Sequence, residues 1–150
     1  MQVKEVCTAD VVCCSPQTNA LQAAHLMRTR HVGDVVVVDD PEQEPIPLGV
    51  VTDRDLAIEV LGNERDPART SVVSLMRTPV VIARESEDVG VVIERMRLQG
   101  VRRIPVVDDE GGAVVGIVTL DDLMRSIVVQ MQLLLDSQAK GARREQNARR

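Results

Sequence analysis

The chain has 150 residues, enough to bury roughly 70% of its unfolded surface as one domain or as two closely packed halves. It contains no Phe, Trp or Tyr, so its core has to be aliphatic, and the aromatic base stacking used by single-strand nucleic-acid binders is excluded. Net charge is −5: residues 139–150 carry five basic side chains against Glu145, which leaves −9 on the first 138 residues and argues against a nucleic-acid footprint there.

Cys7, Cys13 and Cys14 crowd the N-terminal segment. An odd number with no signal peptide ahead of it does not describe a disulfide framework, so a reducing, cytoplasmic setting is expected. No apolar run approaches the ~20 residues of a membrane span, and no membrane partner is expected.

In chain order, the sequence predicts a short lead-in at residues 3–8, a strand at 11–14, and a helix with the apolar stripe Ala20, Ala23, Ala24 and Met27. Polar residues 15–19 cap that helix. A valine-rich strand at 35–38, an acidic turn, a strand at 48–51 and a second helix bearing Leu56, Ile58 and Val60 complete a β-α-β-β-α unit. Residues 62–69 read as a linker. The pattern then starts again. Sliding the chain against itself by 69 positions aligns Val3 with Val72, Met27-Arg28 with Met96-Arg97, and Val37-Val38-Asp39-Asp40 with Val106-Val107-Asp108-Asp109. After the acidic turn the offset becomes 67 and aligns Gly49-Val50-Val51-Thr52 with Gly116-Ile117-Val118-Thr119. The fold class is therefore α/β (α+β), built from a duplicated motif. The first copy with its linker spans 1–69, the second 70–135. The last helix is expected to end near Gln138 within a basic tail, 136–150, whose far end lacks apolar residues to bury and is expected to be disordered.

Two turns carry chemistry. Thr52-Asp53-Arg54-Asp55 and Thr119-Leu120-Asp121-Asp122 each follow a strand and open a helix. Thr with an acid three residues on caps a helix by satisfying orphan N–H groups. The same carboxylate can accept hydrogen bonds from both hydroxyls of a ribose, while the Thr hydroxyl and helix N–H groups can meet a phosphate. Gly49 and Gly116 keep the backbone clear where a ligand or a neighbouring segment approaches.

The paired Gly-h-Val-Thr-x-x-Asp-Leu turns, each after an h-h-Val-Val-Asp strand, resemble a tandem cystathionine-β-synthase (CBS) domain protein over residues 1–135. The resemblance implies two motifs packed through their sheets as a pseudo-twofold pair, with clefts that hold AMP, ADP, ATP, S-adenosylmethionine or similar compounds. It implies ribose and phosphate contacts from Thr52 with Asp55 and from Thr119 with Asp122. It also implies a base and phosphate pocket lined in the second copy by Val101, Arg102, Arg103, Ile104 and Pro105. A guanidinium fork suits phosphate. The equivalent positions in the first copy, Gly33 and Asp34, supply no cation, so a phosphorylated ligand is expected first beside Arg102, Arg103 and the Thr119 turn, unless Arg54 swings in to serve the first.

No nucleophile–base pair and no catalytic signature is visible, so no enzyme activity and no required cofactor are expected. The expected function is a regulatory module that binds an adenine nucleotide or adenosyl ligand and signals through a conformational or dimer change to a separate effector. A homodimer through the second helices, with faces including Leu56, Ile58, Val60, Leu123, Ile127 and Val128, is expected. The alternatives are a ligand-independent structural or dimerisation module and a thiol or metal sensor. For the last, Cys13 and Cys14 align with Ile82 and Ala83 and read as small core residues, and His25 and His31 as surface or cap residues, without metal-ligand spacing.

Overall fold

In the computed structural model, which describes residues 1–148, each copy of the repeat forms its own three-stranded sheet. The first copy consists of β1 (Cys13–Cys14), α1 (Ala20–Arg30), β2 (Asp34–Val38), β3 (Pro47–Thr52) and α2 (Asp53–Asp55), which continues as a π-helical turn over Leu56–Leu61. The second consists of β4 (Ala83–Arg84), α3 (Val89–Gln99), β5 (Arg103–Val107), β6 (Val114–Thr119) and α4 (Leu120–Ala148). In both sheets the first strand runs parallel to the second and the second antiparallel to the third.

Local chemistry sets the helix ends. Asn19 accepts from the Gln22 N–H at 2.9 Å while the Gln22 side chain accepts from the Asn19 N–H, a reciprocal cap that opens α1. Asp88 accepts from the Gly90 N–H at 2.8 Å to open α3. Both helices close at equivalent left-handed residues, His31 (φ 54°) and Gly100 (φ 63°). His31 is thus a cap, and His25 lies on the exposed side of α1.

The buried side chains fall into three groups. One core lies under the first sheet and one under the second. A third joins the sheets face to face, with Val36 and Val38 of β2 against Ile117 of β6, flanked by Val11, Cys13, Val50 and Val114. The two motifs therefore pack through their sheets.

The lead-ins are exchanged between copies. Val3, which precedes the first copy, is fully buried in the second copy's core, and its N–H donates to the Glu87 carbonyl at 2.9 Å. Val72, its counterpart, is fully buried in the first copy's core, and its N–H donates to the Thr18 carbonyl at 3.0 Å. Burial of each valine is worth about 1.5–3 kcal/mol.

Several expectations shift. The first strands are two residues long rather than four: Val11 and Val12 are packed ahead of β1, and the Val12 carbonyl accepts from the Val36 N–H of β2 at 2.9 Å. In the second helices, Leu56 and Val60 are four apart and turn to the first core, Leu123 is buried in the second, and Ile58, Ile127 and Val128 face outward. The expected dimer face thus splits. The final helix does not stop near Gln138 but continues through Ala148, since adding Ala, Lys, Arg, Gln and Glu to a nucleated helix costs little. Residues 149–150 of the expected tail lie outside the described residues. No helix among the described residues is long and apolar enough to cross a membrane.

Candidate functional site

The two turns singled out by the sequence are capping boxes. The Asp55 N–H donates to Thr52 Oγ1 at 3.1 Å and the Thr52 N–H to Asp55 Oδ2 at 2.8 Å. In the second copy the Asp122 N–H donates to Thr119 Oγ1 at 3.2 Å and the Thr119 N–H to Asp122 Oδ2 at 3.0 Å, and the Thr119 hydroxyl adds a 2.6 Å bond to the same carboxylate oxygen. Each cap engages Oδ2 alone; Oδ1 of Asp55 and of Asp122 accepts no hydrogen bond among the described residues and is available to a hydroxyl donor.

A cleft of about 740 Å³ opens at the Thr52 turn. Thr52, Asp53, Arg54 and Asp55 form one wall, and the facing wall belongs to the second copy: Thr78, Pro79, Val80 and Val81 from the segment between its lead-in and β4, and Val101, Arg102 and Arg103 before and at the start of β5. This volume suits a small organic ligand. The pairing differs from expectation. Arg102 and Arg103 stay beside the Thr119 turn, where the Leu120 N–H donates to the Arg102 carbonyl at 2.9 Å and Arg103 lies opposite Thr119 in the sheet, and they also line the cleft at the turn of the other copy. Arg54 lines the same cleft directly. The Thr119 turn faces a shallower depression of about 430 Å³, where Asp122 meets Met1, Glu5 and Val6 of the exchanged N-terminal lead-in and Arg125 and Ser126 of α4.

Ile104 and Pro105 do not reach the cleft. Both are buried within β5, where Ile104 belongs to the second core. Alternation turns Ile104 to the face opposite Arg103, while Pro105, on the same face as Arg103, lies opposite Ile117 in the sheet and is buried.

The guanidinium groups differ in what they already hold. Arg103 Nε lies 2.7 Å from Asp34 Oδ2, in an ion pair that joins the copies. Burial pushes the Asp34 carboxyl above the ordinary carboxylate range, against the opposing pull of Arg103. Arg77 donates to the Gln99 carbonyl at 2.8 Å. Arg54 and Arg102 are exposed and form no ion pair among the described residues. In a neighbouring hollow of about 760 Å³ on the other side of the lead-in, the cations are committed: Arg95 to Glu87 and the Ile82 carbonyl, Arg84 to the Asp108 and Asp109 carbonyls. The Thr52 cleft combines apolar walls, a helix start and, in Arg54 and Arg102, guanidinium groups without an ion pair among the described residues.

Two glycines and the thiols read differently once the chain path is known. A Cβ on Gly49 would meet Met76 and one on Gly116 would meet Cys7, so both glycines make room for an exchanged lead-in rather than a ligand. Cys7 packs on the second core, Cys13 between the sheets and Cys14 in the first core, and burial raises all three thiols. Among the described residues no group of three His, Cys, Asp or Glu side chains gathers where a metal ion could sit.

Two α/β repeats joined through their sheets, with a cleft at a helix start, define a duplicated regulatory binding module. The CBS domain family matches the chain twice, over residues 3–62 and 72–129, and the chain belongs to that family as a CBS domain pair. An uncharacterised protein of Methanopyrus kandleri is 34% identical over 125 residues, which is 83% of this chain and 62% of that protein, so this chain spans less than two thirds of its length. The CBS domain pair of protein MJ0100, in complex with 5′-methylthioadenosine and S-adenosyl-L-methionine, superposes with a TM-score of 0.73 at 25% identity, covering 87% of this chain and 98% of that one. The hexameric CBS-CP12 protein from bloom-forming cyanobacteria superposes with a TM-score of 0.72 at 27% identity, covering 83% and 69%.

Proposed function

We propose that this CBS pair is a non-catalytic, cytoplasmic regulatory module that binds a phosphorylated adenosine ligand, AMP, ADP or ATP, in the Thr52 cleft. The observation that carries this reading is the meeting, in one cleft, of a capped helix start with a spare carboxylate oxygen, the apolar residues Val80, Val81 and Val101, and the unpaired guanidinium groups of Arg54 and Arg102. A base fits between the valines, a ribose reaches Asp55 Oδ1, and phosphate oxygens meet the guanidinium groups and helix N–H groups. The adenosyl ligands of the MJ0100 pair support the class of ligand, and the local cations favour phosphate over an uncharged adenosyl group. Binding acts by differential affinity for two arrangements of the copies, which a separate effector reads.

Calorimetry with AMP, ATP and S-adenosylmethionine tests this. Saturable AMP or ATP binding that Arg102→Ala weakens is expected; no binding of any of the three at millimolar concentration overturns it.

A second reading, dimerisation without ligand, is favoured by one observation. Ile58 and Leu61 on the first copy and Met124, Ile127, Val128 and Met131 on α4 are 44–73% exposed, an apolar surface unlike that of an isolated soluble domain. Both roles fit one molecule: a homodimer through these helices, with the clefts at their N-terminal ends.

A further inference from the structure

The 29 residues of α4 make a rod about 43 Å long, and Leu123 is the buried one among them. Ser126 and Gln130, which both donate to Met1 Sδ at 3.3 Å, are its last side chains to bond outside the helix among the described residues. From Met131 to Ala148 every side chain is exposed, and Met131, Leu133, Leu134 and Leu135 are so to 58–72%. A solitary helix of this length is marginal in water, and a run of uncovered leucines marks an interface. The apolar stripe Met124, Ile127, Val128, Met131, Leu134 and Leu135 follows helical spacing and is its own mirror about Met131: Ile127 and Leu135 lie four residues to either side, Val128 and Leu134 three. Charges line one flank of it. Asp136 stands just over three turns beyond Arg125 and Arg143 five turns beyond it, while Asp121 is one turn before. All four are exposed, and none forms an ion pair among the described residues.

We propose that α4 pairs antiparallel with α4 of a second copy about a twofold axis at Met131, so that Arg143 of the partner subunit reaches the Thr119 turn of this one. The inference deepens the dimerisation reading and rests on it. Antiparallel pairing about Met131 lays the stripe on itself. It also sets opposite charges together on the shared flank: Arg125, six residues before the axis, stands beside Asp136 of the partner subunit, five after it, and Asp121, ten before, stands near Arg143 of the partner subunit, twelve after. A parallel pair would place Arg143 beside Arg144 of the partner subunit and leave both acids without a cation. Acid at the start of a helix and base at its end also suit its dipole, but that alone leaves the leucines uncovered. Asp121 and Asp136 on the flank set this face apart from the basic helices that lie on anionic lipid. Asp121 belongs to the Thr119 turn, whose neighbours Glu5 and Asp122 are acidic, so the second copy supplies a cation to a turn that holds more carboxylates than its own Arg125 balances.

The test is the dimer dissociation constant of the full chain by sedimentation equilibrium. Arg143→Glu and Asp121→Arg are each expected to weaken the dimer about fivefold or more, since each change acts twice in a symmetric pair. Combined in one chain they are expected to restore the wild-type value, because both pairs are then reversed. Mild oxidation of cysteine variants reads the direction of pairing without changing a charge. Met131→Cys, on the axis, is expected to link to itself above the background of wild-type chain. Met124→Cys and Gln138→Cys, seven residues to either side, are expected to link to each other when mixed and not to themselves. Self-linking of Met124→Cys as strong as that of Met131→Cys, or a charge swap that fails to restore the dimer, overturns the antiparallel pairing while dimerisation stands. A wild-type chain that sediments as a monomer at micromolar concentration overturns both.

Discussion

Met76 occupies the space that a side chain on Gly49 would need: a Cβ there would lie 2.6 Å from its sulfur and 2.7 Å from its Cβ. The equivalent pair repeats the relationship, with a Cβ on Gly116 lying 2.8 Å from Cys7 Sγ and 3.2 Å from the Thr8 carbonyl oxygen. Each signature glycine is the crossing point of a strand and the other copy's lead-in. Gly49→Ala and Gly116→Ala are expected to destabilise the chain by about 1–3 kcal/mol through overpacking. In denaturant unfolding, Met76→Ala in the Gly49→Ala background recovers part of the loss; strict additivity of the two changes contradicts the crossing.

Asp55→Ala and Asp122→Ala each remove a helix cap and are expected to cost about 1 kcal/mol. Their effects on ligand differ. Asp55→Ala abolishes AMP binding at the Thr52 cleft, whereas Asp122→Ala retains it. Thermal unfolding and calorimetry on the two proteins separate cap from contact, and equal loss of AMP binding in both would show that the cleft assignment is wrong.

Most of the fold, and the local geometry of the two turns, is legible in the sequence. The repeat, the order of elements and the two Thr-x-x-Asp turns follow from spacing and periodicity, because capping and strand alternation are local. What spacing does not contain is which copy a segment packs against. The exchange of the lead-ins at Val3 and Val72 is a choice of chain path, and so is the meeting of Arg102, still bonded through its carbonyl to Leu120, with the Thr52 turn of the other copy. The ion pair of Arg103 is hidden for the same reason: its partner Asp34 stands at the equivalent position of the other copy, and spacing does not say that the two meet.

Glu87 accepts from Arg95 Nη1 at 2.9 Å and from the Arg84 N–H at 2.7 Å, and the Arg95 hydrogen bond holds its carboxyl below the ordinary value of 4.5. A carboxyl lowered by folding adds stability above its unfolded value, and that stability is lost as pH falls through the folded one. Glu87→Gln is therefore expected to cost about 1–2 kcal/mol near pH 7, with the gap to the wild type narrowing below pH about 4.5. Asp34 is raised instead, so its charged form lowers stability as pH rises above 3.8. Urea unfolding of Glu87→Gln and Asp34→Asn across pH 3–7 should show slopes of opposite sign relative to the wild type.

The apolar face of α4 leads to an expectation for self-association. Ile127→Glu, at a site 44% exposed in the single chain, should leave thermal stability almost unchanged and lower the sedimentation mass to that of a monomer. A wild-type protein that sediments as a monomer at micromolar concentration contradicts the dimer.

The exchanged lead-ins have a consequence for descent. A lone copy of the repeat holds a valine that fits only into another copy, and a core that lacks its own. Before the duplication, such a unit could bury both only by trading segments with an identical chain around a twofold axis. Fusing two chains that already clasped each other would keep every contact and release the two halves from symmetry. Free of that symmetry, one equivalent position can hold Asp34 and the other Arg103.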